Sequence, residues 1–221
     1  VEMNTGTLQV RRNEVLDTLV GPVERLDVNY LENSEIRELD ALLDRAGIAS
    51  TDLQARFSDG AEIRDIVLSL YENDEVVAKI RAILTPLLQN PDFKKVLFSA
   101  SILRALDLKT DPTFLRAVTK VDSYAILSDV GEPAYEFFDF NLDRLEPHSS
   151  LFSEYLVQSF LDPGELVGEI YWLSAEAAKR MHETGDLQSE RHRDARHVLG
   201  MLLTHRRLAN FLKNHPNRDI M

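Results

Sequence analysis

The sequence predicts a mainly α protein: a helical bundle, then a winged-helix-like domain with a small β-hairpin wing, then C-terminal antiparallel helices. Three observations predict it. Apolar residues recur at three- and four-residue spacing through most of the chain, as in Ile63, Ile66, Val67 and Leu70. The pairs Asn90-Pro91, Asp111-Pro112 and Asp162-Pro163 place a capping side chain before a proline, which suits the first turn of a helix. One stretch, Tyr124 to Leu161, is rich in Tyr, Phe, Ile and Leu around Gly131-Glu132-Pro133. It reads as a strand, a turn at those three residues, a second strand, and a helix opened by Pro147-His148-Ser149-Ser150.

Taken in order, residues 1–31 are the least regular. Thr7 to Arg11 and Leu26 to Tyr30 alternate like strands, and Glu14 to Val20 suits a short helix ended by Gly21-Pro22. The segment reads as the edge of an α/β domain lying upstream, and the chain as an internal piece of a longer polypeptide. Residues 32–90 read as a helical domain. Asn33 or Ser34 caps a helix that presents Ile36, Leu39, Leu42 and Leu43 on one face and stops at Gly47. A short turn follows Ser50-Thr51-Asp52 and breaks at Ser58-Asp59-Gly60; two further helices follow, the second expected to kink or stop near Thr85 because of Pro86.

Residues 91–161 read as the winged-helix-like domain. Phe93, Val96, Leu97, Ala100, Leu103 and Leu106 line one helix, and Phe114, Leu115 and Val118 line a shorter one before the hairpin. Residues 162–221 read as a helical pair, one helix carrying Leu166, Ile170, Leu173 and Ala177 and the other running from about Ser189 to Lys213, with Gly185 between them. A pair of this kind suits the start of a helical repeat array.

Composition excludes several functions. The 221 residues contain no cysteine, so disulfides, zinc-thiolate sites and iron-sulfur clusters are out, in keeping with a cytoplasmic location. No apolar run approaches a membrane span, and no signal-peptide pattern is present. The net charge of −12 opposes broad affinity for nucleic acid. From Asp122 to Glu176 twelve acidic residues face the single Arg144, whereas Asp186 to Met221 holds seven Lys/Arg against four Asp/Glu. Acidic centre and basic tail can attract one another within or between molecules.

No Gly-x-x-x-x-Gly-Lys-Ser/Thr phosphate loop, Gly-x-Gly-x-x-Gly or His-Glu-x-x-His occurs. His192 and His197 are five residues apart, which does not put them on one helix face for a metal. No catalytic or metal-binding set emerges. The residues singled out are His148, Ser149 and Ser150, at a helix start where backbone N–H groups and hydroxyls suit a phosphate. The plainer reading of the same residues is an N-cap beside a partly buried histidine.

A family resemblance gives this motif a role. Leu31-Glu32-Asn33-Ser34-Glu35-Ile36 with Leu39, Leu42 and Leu43, and the run YEFFDFNLDRLEPHSSLFSEYLVQSF, resemble the regulatory half of STAND-type signal-transducing P-loop NTPases, whose members include bacterial anti-phage defence sensors. The resemblance covers roughly residues 25–165. It implies that residues 1–31 are the edge of the NTPase core and that His148, in place of the family's Met-His-Asp histidine, contacts the β-phosphate of ADP. Pro147-His148-Ser149 departs from that triplet, and the phosphate loop would have to lie upstream. ADP or ATP with Mg²⁺ is then implied only for the full-length parent, an ATPase; this portion alone is not expected to be catalytic. The implied partners are the upstream core, a protein trigger, and further copies of the chain once activated. Two other readings compete: a structural helical scaffold or interaction module, and a winged-helix DNA-binding regulator, which the acidic centre disfavours.

Overall fold

The computed structural model describes residues 30–48, 53–135, 137–141, 144–184 and 189–204. In chain order these form β1 (Tyr30–Leu31), α1 (Asn33–Arg45), α2 (Leu53–Arg56), β2 (Ala61–Glu62), α3 (Ile63–Leu70), α4 (Asp74–Leu88), α5 (Pro91–Ala105), α6 (Pro112–Thr119) and α7 (Ser123–Val130). They continue with α8 (Glu132–Tyr135), β3 (Phe138–Asn141), β4 (Arg144–Pro147), α9 (Ser150–Phe160), α10 (Pro163–Thr184) and α11 (Glu190–Leu202). The fold is mainly helical, with two small antiparallel strand pairs, β1 with β2 and β3 with β4. The strand and helix expected within residues 7–20, most of the strand expected at 26–30, the break at Gly185 and everything beyond Thr204 lie outside the described residues; the last helix, expected to run on to about Lys213, ends at Leu202, where the Leu203 cap N–H returns to the Leu199 carbonyl.

Side-chain caps set most helix starts. Asn73 accepts the Glu75 and Val76 N–H groups at 3.0 and 3.2 Å, and Asn90 accepts those of Asp92 and Phe93 at 3.0 and 3.1 Å. Asp111 caps α6 through Thr113 N–H at 2.8 Å. Each satisfies donors that a helix start leaves without intrahelical partners. Helix α1 departs from expectation: Glu32, rather than Asn33 or Ser34, is its cap. The Glu35 carboxylate reaches back to Glu32 N–H at 2.8 Å, while Asn33 N–H donates to Asp59 at 3.0 Å, so the first turn closes one residue early. Pro86 does not stop α4, which continues to Leu88. Proline removes one N–H there, but buried Leu84 and the partly buried Leu87 and Leu88 hold the last turn on the core.

The hairpin lies further along the chain than the sequence predicts. Residues 124–130, expected as its first strand, are helix α7, and Glu132-Pro133, expected as its turn, begin α8. Asp122 explains the difference, because its carboxylate accepts the Tyr124 and Ala125 N–H groups at 3.1 and 3.3 Å and starts a helix. Ser123 and Leu127, four residues apart, are its buried face. Gly131 ends it with φ 73° and ψ −146°, a conformation open essentially to glycine alone. The strands pair Phe138 with Pro147, Asp139 with Glu146, Phe140 with Leu145 and Asn141 with Arg144, joined across residues 142 and 143. Three helices, α6, α7 and the four-residue α8, therefore stand between α5 and the hairpin, where the sequence showed one.

The core is organised around α5. Phe93 and every residue from Val96 to Leu103 are buried, so this helix has no solvent face over its central turns. It is enclosed by α4, α6, α7, β4, α9 and α10. Phe93 meets the edge of Phe138 at 6.4 Å, fixing the hairpin over it. One apolar cluster runs from Leu84 to Leu202, and a smaller one joins Ile36, Leu53 and Ile66. Tyr71, at the end of α3, stacks on Tyr155 of α9 at 4.6 Å, and Arg64 pairs with Glu154 at 3.6 Å. Outside the core, α10 exposes Val167, Tyr171 and Trp172, the last two rings 5.2 Å apart.

Glu169 is the charged group that this packing penalises. Its carboxylate accepts the Ser99 hydroxyl at 2.9 Å between α10 and α5. Burial pushes its pKa up, against weaker opposing effects of Ser99 and Lys95. A raised folded-state pKa means that the charged form costs stability at neutral pH, and that this cost disappears as pH falls through the raised value. Glu169→Gln is therefore expected to raise the neutral-pH urea midpoint, with the advantage shrinking on acidification. Leu97→Ala, which opens a cavity in α5's fully buried shell, should cost about 2–5 kcal/mol in the same measurement.

Candidate functional site

The hairpin delivers its chain to α9 through His148, Ser149 and Ser150. Ser149 is the N-cap: its hydroxyl oxygen accepts Phe152 N–H at 3.2 Å, and its carbonyl accepts the Ser153 N–H and hydroxyl at 3.0 and 2.8 Å. Ser150 is the first, exposed residue of α9. His148 extends the hairpin by donating its backbone N–H to Phe137 O at 3.1 Å. Its imidazole bridges two elements, with Nε2 3.0 Å from the Tyr135 carbonyl at the end of α8 and Nδ1 3.2 Å from the Asp139 carboxylate on β3. The ring is 44% exposed, so it is reachable from solvent while holding both contacts. The sequence placed these three residues together correctly at a helix start; of the partners of His148, Asp139 lies on a strand where one was expected, and Tyr135 ends a helix where none was.

Around this junction the surface is acidic. Asp129, Glu132 and Asp139 are exposed and Glu146 is half-buried, and α7 contains neither Lys nor Arg. A groove-docking helix for DNA needs positive charge. Among the described residues no three His, Asp or Glu side chains stand close enough to hold a metal ion, and no helix is long and apolar enough to cross a membrane. His192 is buried, with Nδ1 3.2 Å from the Met181 carbonyl, whereas His197 is exposed.

A second polar site was not visible in the sequence. A cavity of about 580 Å³ lies between the connection preceding α6, α6 itself, α10 and α11. Arg180 forms one wall. It donates to Asp111 at 3.0 Å, to Glu176 at 3.3 Å and to Thr113 at 3.4 Å, and lies 5.0 Å over the Phe114 ring. Burial raises the Asp111 pKa, but hydrogen bonds from Thr113 and then Arg180 outweigh it, and the net shift is downward. Thr110, next in line, is buried; its carbonyl faces Leu145 N–H of β4 at 3.5 Å, and its hydroxyl has no hydrogen-bond partner among the described residues. In the sequence Asp111 carried only a capping signal, and no local pattern ties it to Arg180, 69 residues away.

No protein-family model, no curated protein and no solved structure matches this chain. The site is therefore read from its own geometry.

Asp111→Asn keeps the cap and discards the charge. A depressed folded-state pKa contributes stability that is complete above the ordinary carboxylate range and is lost as pH falls through the depressed value. The variant should be less stable than the wild type at neutral pH, and the two should converge on acidification, as read from urea unfolding between about pH 7 and about pH 3.

Proposed function

We propose that this chain is the regulatory, lid-side portion of a STAND-type nucleotide switch, with a winged-helix-like domain at its centre. The order of elements supports that domain. Helix α5 leads through residues 108–111, whose Thr110 carbonyl faces β4, into α6, a short turn at Lys120–Asp122, α7, the four-residue α8 and then the hairpin. Short helices followed by a two-stranded wing and a further helix, α9, suit such a domain. The acidity of α7 and the hairpin directs the domain toward protein rather than DNA.

The observation that carries the proposal is the position of His148: half-exposed, at the junction of hairpin and helix, beside the Ser149 and Ser150 hydroxyls. In this reading ADP, held by a nucleotide-binding core outside this chain, takes the imidazole as a phosphate contact and keeps the protein closed. Exchange for ATP with Mg²⁺ releases it and permits self-association for signalling or antiviral defence. The equilibrium is biased because only the closed state offers that contact. A second reading, a helical scaffold without a nucleotide role, is favoured by the two contacts His148 already makes, to the Tyr135 carbonyl and Asp139.

Calorimetry of ADP binding to the parent protein carrying the core distinguishes them. His148→Ala is expected to weaken ADP binding by about 1–3 kcal/mol, the range for a charge-assisted hydrogen bond. Unchanged ADP affinity in a normally folded variant would overturn the switch and leave the scaffold.

A further inference from the structure

The cavity beside Arg180 carries an inference that does not rest on the nucleotide reading. We propose that it binds a free α-amino acid with a large apolar side chain. Its volume, about 580 Å³, lies within the roughly 300–1,000 Å³ usual for small-ligand sites. Leu108, Phe114, Ala195 and Val198 line it, and all four are buried. That lining offers an apolar bed for a side chain.

The polar lining decides the ligand's charge. Arg180 is engaged by Asp111, Glu176 and Thr113, so it serves as wall rather than as free donor. Lys109, Arg191 and His197 also line the cavity and are exposed, and none makes a side-chain hydrogen bond or ion pair with another described residue. The same holds for the carboxylates of Asp107 and Asp194. A simple anion would answer the cations and crowd the carboxylates, and a simple cation would do the reverse. A zwitterion, with a carboxylate and an ammonium on one carbon, answers both signs at once.

Thr110 adds an independent pointer. The residue belongs to the cavity lining, and its hydroxyl is buried and lacks a hydrogen-bond partner among the described residues. Buried hydroxyls are nearly always paired, so one left unpaired beside a cavity marks a place for a ligand's polar atom. The ligand's carboxylate or ammonium would supply it.

The test is calorimetric titration of this chain with L-phenylalanine, N-acetyl-L-phenylalanine, L-phenylalaninamide and inorganic phosphate. The two derivatives each remove one charge and keep the ring. L-Phenylalanine is expected to bind one to one, with each derivative at least about tenfold weaker and phosphate not competing. Arg191→Ala and Asp194→Ala, exposed positions whose loss spares the core, should each weaken L-phenylalanine by a similar factor. The proposal is overturned if neither L-phenylalanine nor L-leucine binds below about 10 mM. Equal binding of the blocked derivatives, competition by phosphate, or an unchanged dissociation constant in both rim variants would overturn it as well.

Discussion

A helix without an outer face constrains everything around it. From Val96 to Leu103 α5 presents no residue to water, so neighbours must cover its whole circumference, and six elements do so. The hairpin is one of them: Phe138 and Leu145 are buried, and Phe138 seats against Phe93. Helices α6 and α7 close another side with Leu115 and Leu127, and α9 and α10 close the rest with Leu156 and Leu173. The surface features discussed above are therefore the outer sides of elements whose inner sides are fixed by one buried helix.

Two adjacent residues tie the two candidate sites into that arrangement. The Thr110 carbonyl faces the Leu145 N–H of the hairpin, and the same residue belongs to the cavity lining. Asp111 caps α6 and holds Arg180 of α10. A change at the cavity thus meets, within two residues, the strand that leads to His148. Charge is divided in the same way, with carboxylates gathered around α7 and the hairpin and Arg191, Arg193 and Arg196 all exposed on α11.

Much of the fold was legible because its signals are local. Asn90-Pro91 and Asp111-Pro112 mark helix starts, and the caps act within three residues. The apolar spacing of α5 was equally clear, although spacing alone does not show that its polar-looking positions, Ser99 and Ser101, are buried too. The hairpin was misplaced because an eight-residue apolar segment fits strand or helix equally well, and only the Asp122 cap decides between them. His148 was found at its true junction, since Pro147 and the two serines mark a helix start on their own. Its bridge from Tyr135 to Asp139, and the meeting of Asp111 with Arg180, depend on tertiary packing and left no pattern along the chain.

Trp172 is the one tryptophan in the sequence, and its ring stands 60% in solvent on α10, edge-on to Tyr171. The native protein's fluorescence is consequently a signal from the outside of the molecule. Loss of the α5 core changes the water around that indole little, so emission tracks the core's unfolding poorly, and circular dichroism is the better witness of it. The same indole, excited partly through its tyrosine neighbour, registers whatever settles on that stretch of α10 without any label being added.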